Sequence, residues 1–336
     1  MTIREVAKRA GVSISTVSRV LNERPNDYMR EDTREKVLQA IEELNYIPDR
    51  RAQSLRGGKT GIIGLIAPIR LNPFYVELSY AIENVCYKEG YGILVCNSKG
   101  DINRERTYID LLVRQKVDGI IITTTGLKKG DLDELISRGI TVILADEDVL
   151  EANVPAVFAN NHLGACQATQ YLIDLEHERI AFITGPLTVL SGRDRLKGYL
   201  DTLKKNSLEL DKSIIKKGNY TYSKGYSATQ KMMREGEDKF TAIFCCNDLM
   251  AFGAIRALQD NGKKIPQDYS IIGFDDMYFS SISNPQLTTV AQPVDKMALK
   301  VFKAFKREIS DRPPLKKVHV LLDTKLVIRE SCRKLR

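Results

Sequence analysis

From Gly61 to Gln292, short apolar runs alternate with longer stretches of helical spacing, and no other feature restricts the fold as tightly. The runs Gly61–Ile69, Tyr91–Ser98, Asp118–Thr125, Thr141–Asp146, Ala156–Asn160, Arg179–Thr184, Ala242–Asn247, Ser270–Asp275 and Leu287–Gln292 read as strands. Tyr75–Gly90 and Asn103–Gln115 show the period of helices packed on one side. Strands that follow one another through a helix pair in parallel, which puts helices on both faces of the sheet. The pattern is too long for one compact sheet, so two α/β lobes are expected.

Open parallel sheets bind ligands beyond the carboxyl ends of their strands. Here those ends carry Asn72-Pro73-Phe74-Tyr75, Asp146, Thr184-Gly185-Pro186, Asn247-Asp248 and Asp275-Asp276. Aromatic rings can cover the apolar face of a sugar while Asp and Asn hold its hydroxyls. Each strand-end Asp or Asn also has a plainer role open to it, as N-cap of the next helix. Taken together they favour a site for a polyhydroxylated small molecule.

The first sixty residues follow another rule. Ile3, Val6, Ala7 and Ala10 mark one face of a short helix, and Gly11-Val12-Ser13 interrupts it. Gly11 suits a tight turn, and Ser13 can cap a second helix whose buried stripe is Val17, Val20 and Leu21. A third amphipathic stretch carries Val37, Leu38, Ile41 and Leu44, with Asp32 and Glu35 spaced as a capping box. Three short helices with a glycine turn between the first two match the DNA-binding helix-turn-helix. The second helix leaves Ile14, Ser15, Ser18, Arg19 and Asn22 on its outer face. Ser, Asn and Arg can bond base edges and Ile14 can meet a thymine methyl; a plain solvated face is the alternative. After Pro48, residues 49–56 are too short for a helix stable alone, and Gly57-Gly58 closes them. They read either as a linker or as a hinge that orders on DNA, with Leu55 as a minor-groove wedge.

The runs Val6-Ala7, Ala10-Gly11-Val12-Ser13, Thr16-Val17-Ser18-Arg19-Val20-Leu21-Asn22, Thr33-Arg34, Asn45-Tyr46-Ile47-Pro48 and the Leu55 hinge resemble the lactose/galactose repressor (LacI/GalR) family. Further along, Arg179–Pro186, Asn247–Ala251, Ile272–Asp276 and Leu287–Val290 resemble the periplasmic sugar-binding fold that this family uses as its sensor. The resemblance implies an all-α helix-turn-helix headpiece over 1–47, a hinge helix over 48–59, and a two-lobed α/β sensor with parallel sheets over 60–336. Lobe 1 would hold about 60–160 and 291–321, and lobe 2 about 161–290 and 322–336, with crossings near Asn160, Val290 and Leu322. It implies DNA contacts from Thr2, Ser13, Ile14, Ser15, Thr16, Ser18, Arg19, Asn22, Tyr46, Ala52 and Leu55. It implies ligand contacts from Phe74, Asp146, Arg195, Tyr220, Asn247 and Asp275. The implied partners are a pseudo-palindromic operator duplex, a carbohydrate effector and a second copy of the chain. Two departures stand out. Glu23–Asp32 is longer than the family's usual turn, which leaves the start of the third helix open. Asp146 is followed by Glu147 and Asp148, where the family's sugar sensors often carry Asp-Arg.

Charge alone would not have found the DNA-binding end. The chain's net charge is +8, yet residues 1–58 hold 11 Lys and Arg against 9 Asp and Glu. No apolar run reaches the ~18 residues of a membrane span, and the start lacks a secretory pattern, so a cytoplasmic protein with no membrane partner is expected. The six cysteines include no CxxC pair, and His162, His177 and His319 lack metal-ligand spacing. No glycine-rich phosphate loop and no evident acid–base pair occurs, so neither a cofactor nor enzymatic activity is expected. A transport-type sugar-binding protein would leave residues 1–58 without a role, and a purine-type sensor remains an alternative to the carbohydrate one.

Overall fold

The computed structural model describes residues 1–21, 29–46, 59–69, 72–123, 126–149, 152–310 and 318–335. They form two compact units, Met1–Thr60 and Gly61–Arg336.

In the first unit, α1 (Ile3–Ala10) opens where Thr2 N donates to Glu5 Oε2 at 2.7 Å. It stops at Gly11, whose φ of 68° lies in the left-handed region that a side chain would strain. The helix α2 (Ile14–Leu21) follows, with Ser13 Oγ accepting from Thr16 N at 3.1 Å as the expected cap. Val6, Ala7, Val17 and Val20 close over Val37 and Ala40 of α3 (Glu31–Glu43). Two expectations change. The third helix begins at Glu31 behind Arg30, so Asp32 lies inside its first turn and cannot form a capping box with Glu35. There Glu31 and Asp32 instead complement the positive end of the helix dipole. Leu38 is 46% exposed, because Val37, Ala40, Ile41 and Leu44 set the packed face and Leu38 falls beside it. Asn22, Ala52, Leu55 and the hinge through residue 58 lie outside the described residues.

The second unit holds two parallel sheets. The larger is built from β1 (Ile62–Ala67), β2 (Gly92–Asn97), β3 (Gly119–Ile122), β4 (Val142–Ala145), β5 (Ala156–Ala159) and the distant β11 (His319–Leu322). Its order is β11-β5-β4-β3-β1-β2. Helices α4 (Phe74–Lys88) and α12 (Val294–Glu308) bury Phe74, Leu78, Met297, Val301 and Phe305 against Ile63, Leu65 and Ile143. The residues α5 (Ile102–Arg114) and α6 (Lys129–Ser137) contribute to a separate cluster with Ile66, Ile120 and Leu144.

The smaller sheet runs β7-β6-β8-β9, from Ile215–Lys217, Ile180–Thr184, Ala242–Cys245 and Ser270–Ile272. Its core joins Phe182, Phe244 and Ile271 to side chains of α7 (Asn161–Asp174), α8 (Leu190–Lys205), α9 (Tyr222–Glu235) and α10 (Asp248–Asp260). The run Leu287–Gln292 joins neither sheet by a full ladder. Its β10 (Thr289–Ala291) pairs antiparallel with β12 (Lys325–Val327), as part of the passage between the lobes. Asn160 N donates to Leu322 O at 2.7 Å, and Asp275 N donates to Val290 O at 2.9 Å. These bonds tie the end of β5 to β11 and the segment after β9 to β10. The short helix α11 (Tyr278–Ile282) follows β9. No described helix is long and apolar enough to cross a membrane.

One packing contact in this unit depends on two glycines. A Cβ on Gly225 of α9 would strike the Met250 carbonyl oxygen, and a Cβ on Gly253 of α10 would strike that of Tyr222. The two helices therefore approach backbone to backbone. Gly253→Val is expected to cost about 1–3 kcal/mol or more by overpacking, read as a lower denaturation midpoint of the full chain; an unchanged midpoint would show that the pair can part without cost.

Candidate functional site

The first unit presents a short polar face. Ser13, Ile14, Ser15 and Arg19 are exposed and Thr16 and Ser18 half-buried, while Val17 and Val20 face the core. Part of this face is already committed: Ser13 Oγ lies 2.7 Å from Ser15 Oγ and 2.9 Å from Thr16 Oγ1 besides capping the helix. Thr2 is exposed at the start of α1, and Tyr46 is half-buried against the core. A narrow helix with short hydroxyl side chains and one guanidinium has the size and chemistry to read a major groove.

In the second unit the strand ends converge on Arg195, delivered by α8 and 3% exposed. Its Nε donates to Asn161 Oδ1 at 2.8 Å and its Nη1 to the Cys246 carbonyl at 2.5 Å. Nη1 also pairs with Asp275 Oδ1 at 3.3 Å. The guanidinium lies over the Phe274 ring, 3.6 Å from its centroid, with the Tyr220 ring at 5.8 Å. Burial alone would pull the Arg195 pKa down; Asp275, then Tyr220, Cys246 and Asp146, reverse this and hold it firmly protonated.

Asp275 is the second hub. It accepts from Asn72 Nδ2 at 2.9 Å and from Gln292 Nε2 at 2.8 Å, so residues before and after the smaller sheet meet on one carboxylate. Burial raises its pKa, opposed by Arg195 and these amides. Asp146, at the end of β4, is pushed up to about 6 by burial, against the lowering effect of Arg195 and the Tyr75 hydroxyl. Glu147 beside it is pushed up to about 8 by burial and by Asp146. Its carboxylate accepts from Leu190 N and Ser191 Oγ, both at 3.1 Å, at the start of α8. Ser191 Oγ lies 3.0 Å from Tyr220 Oη.

Four of these positions share a backbone feature invisible in a sequence. Asp146, Tyr220, Asp275 and Asp276 have φ of 71°, 66°, 114° and 58°. Non-glycine residues in that region carry strain, and such strain concentrates at binding sites.

Five of the six residues singled out as ligand contacts gather here: Asp146, Arg195, Tyr220, Asn247 and Asp275. Asn247 is nonetheless spent on scaffolding. Its Oδ1 caps α10 through Met250 N at 3.0 Å, and its Nδ2 holds the Tyr220 carbonyl at 3.1 Å. Phe74 packs into the core between α4 and the larger sheet, while its neighbour Tyr75 reaches Asp146. Sequence reasoning did not single out Asn161, Ser191 or Gln292. Asn72 and Tyr75 stand in the sequence only as part of a strand-end run, and Glu147 only as a departure from the family pattern. Asn161 and Gln292 follow strands directly at the passages between lobes, and that position is the one signal that could have marked them. Beside Asp275 and Gln292 opens a cavity of about 320 Å³, lined also by Glu77, Asp276, Asp295 and Lys296.

A helical headpiece and a two-lobed sensor with a charged cleft define the comparison. A family model described as periplasmic binding proteins and sugar binding domain of LacI family matches residues 60–311, and one described as bacterial regulatory proteins, lacI family, matches residues 2–49. The chain belongs to the LacI family. It is a DNA-binding transcriptional regulator whose operator affinity is controlled by a small-molecule effector. The HTH-type transcriptional repressor PurR of Mannheimia succiniciproducens is 30% identical to this LacI-family chain, over 99% of each protein. The lac repressor dimer bound to operator and the anti-inducer ONPF superposes with a TM-score of 0.87 at 29% identity, over 99% of each chain. A LacI-family regulator from Enterococcus faecium with bound ribose superposes at 0.74 with 30% identity, covering 82% of this chain and 100% of that one.

The cleft of this LacI-family regulator carries a pH signature. Glu147 rises from 4.5 to about 8 on folding, so between those values the unfolded chain releases a proton that the native state keeps. Its contribution to stability is therefore lost as pH rises through that window. Glu147→Gln is expected to flatten the fall in stability between those pH values, measured by denaturant titration; equal pH slopes in the two proteins would remove Glu147 as the cause.

Proposed function

We propose that this regulator is a repressor that acts as a homodimer on a pseudo-palindromic operator and takes a carbohydrate effector in the cleft around Arg195 and Asp275. The observation that carries the effector reading is the cleft itself. A buried Arg195–Asp275 pair, flanked by Asn72, Asn161 and Gln292 and by Tyr75, Tyr220 and Phe274, combines planar polar groups with aromatic faces. That combination suits a hydroxylated ring. Support also comes from the ribose-bound regulator of similar fold.

One headpiece reads only a few base pairs, so specificity calls for two copies on two half-sites. The second unit offers apolar surface for such an association. Val76, Tyr80 and Tyr87 of α4, Leu94 and Val95 of β2, and Phe279 and Ile282 of α11 are all exposed. Lobe closure on the effector changes the spacing of the two headpieces and the order of the hinge, and with them operator affinity. Thr2, Ser13 to Thr16, Ser18, Arg19, Asn22, Tyr46, Ala52 and Leu55 form the proposed DNA-contacting set, with Arg19 as the base reader.

Arg19→Ala is expected to relax base preference at one operator position at a cost of about 1–3 kcal/mol, measured by competition among operator variants; a uniform loss across all sequences would make Arg19 a backbone contact instead. Asp275→Ala is expected to abolish the response of operator binding to sugars while sparing binding without them. A normal response in that variant would remove Asp275 from the effector site.

A further inference from the structure

Two buried acceptors in the cleft lack a partner. Asp146 is 3% and Gln292 7% exposed, and both Asp146 Oδ1 and Gln292 Oε1 are buried without a hydrogen-bond partner. The Gln292 Nε2 bond to Asp275 fixes which end of that amide is the oxygen. Both orphans are acceptors. The donor groups around them, from Asn72, Gln292, Arg195 and the Tyr75 hydroxyl, each already serve a protein oxygen. The charges lean the same way. Asp146 and Asp275 share one guanidinium, and Arg195 divides its field between them. In the adjoining cavity Glu77, Asp276 and Asp295 face Lys296, with Arg329 bound to Asp276 at 2.6 Å.

Resting on the carbohydrate reading above, we infer that the effector carries a positively charged amino group, which docks against Asp146 and the Gln292 carbonyl: an amino sugar or a similar aminated polyol. A neutral polyol would fill the vacant acceptors, but each of its hydroxyl oxygens also asks for a donor, and it leaves the carboxylate excess uncompensated in a site removed from water. An ammonium only donates, and its charge repays the cost of keeping Asp146 ionised. Burial, which holds the Asp146 carboxyl above its ordinary range, is the same cost seen from the protein's side. A phosphate or carboxylate on the ligand adds to the excess and is rejected.

The test is a melting-point and calorimetric panel on the full chain near neutral pH. It uses glucosamine, galactosamine and mannosamine beside their parent hexoses, their N-acetyl forms and the parent 6-phosphates. At least one free amine is expected to bind about tenfold or more tighter than its parent and its N-acetyl form, and Asp146→Asn is expected to erase that preference while the protein stays folded. If a parent hexose or a phosphate binds as well as its amine, the carbohydrate reading stands and the amine is overturned. An amine preference that survives in Asp146→Asn overturns the assignment to this carboxylate. If no member of the panel binds, whether or not a purine does, both readings fall.

Discussion

The cleft of the sensor unit is arranged around one buried cation. Arg195 sits out of water on the face of Phe274, and that position is tenable only because Asn161, the Cys246 carbonyl and Asp275 take up its donors. Losing one partner of such a pair costs about 3–5 kcal/mol, since the other charge is left buried and alone. The partners come from different parts of the chain. Asn161 opens the first helix after β5, Cys246 directly follows β8, and Asp275 follows β9. Asn72 and Gln292 reach Asp275 from either side of the smaller sheet's sequence. The pair therefore works as a clasp between segments that are distant in sequence, and whatever enters the cleft meets a polarised framework already in place.

The framework has a conformational cost. Asp146, Tyr220, Asp275 and Asp276 hold left-handed backbone without being glycines. The surroundings over-determine each one: Asp146 by Tyr75, Tyr220 by Asn247 and Ser191, Asp275 by four partners, Asp276 by Arg329. Strain of roughly 1–3 kcal/mol per residue is tolerable where the side chain must point into a cleft that regular geometry would not reach. The exposed face of α2 needs no such device, since helical periodicity alone sorts Val17 and Val20 inward and Arg19 outward.

That contrast explains what could be read from the sequence. The headpiece was legible because its signals are local: the glycine turn, the Ser13 cap and a period of 3.6. The strands β1, β3 to β6, β8 and β9 were legible because buried parallel strands are continuous apolar runs, and β2 because its run Ile93–Cys96 is apolar although half of it is exposed. The strands β7, β11 and β12 were missed because they are short, rich in Lys and His, and partly exposed. In the cleft, Asp146, Arg195 and Asp275 could be named from motif and strand end. Asn161, Ser191 and Gln292 could not, because they matter only once segments far apart in sequence are brought together. Phe74 shows the limit of one-residue resolution. Helical geometry sent it into the core and turned its neighbour Tyr75 toward Asp146.

The strand order of the larger sheet has a temporal consequence. Residues 161–290 supply the whole smaller sheet as one contiguous segment, while the larger sheet takes its edge strand from His319–Leu322 and its covering helix from Val294–Glu308. During synthesis from the N-terminus, the smaller sheet can therefore pair before the larger lobe has received its last two elements, while Ser331 and Leu335 join the smaller lobe last. The earlier strands of the larger sheet wait with one apolar face covered by α4 alone, and the late pairing closes a long loop. A chain halted before residue 294 would thus hold a paired smaller sheet beside a larger sheet without its covering helix and edge strand, and Ile63, Leu65 and Ile143 of that intermediate are where a chaperone would find its grip.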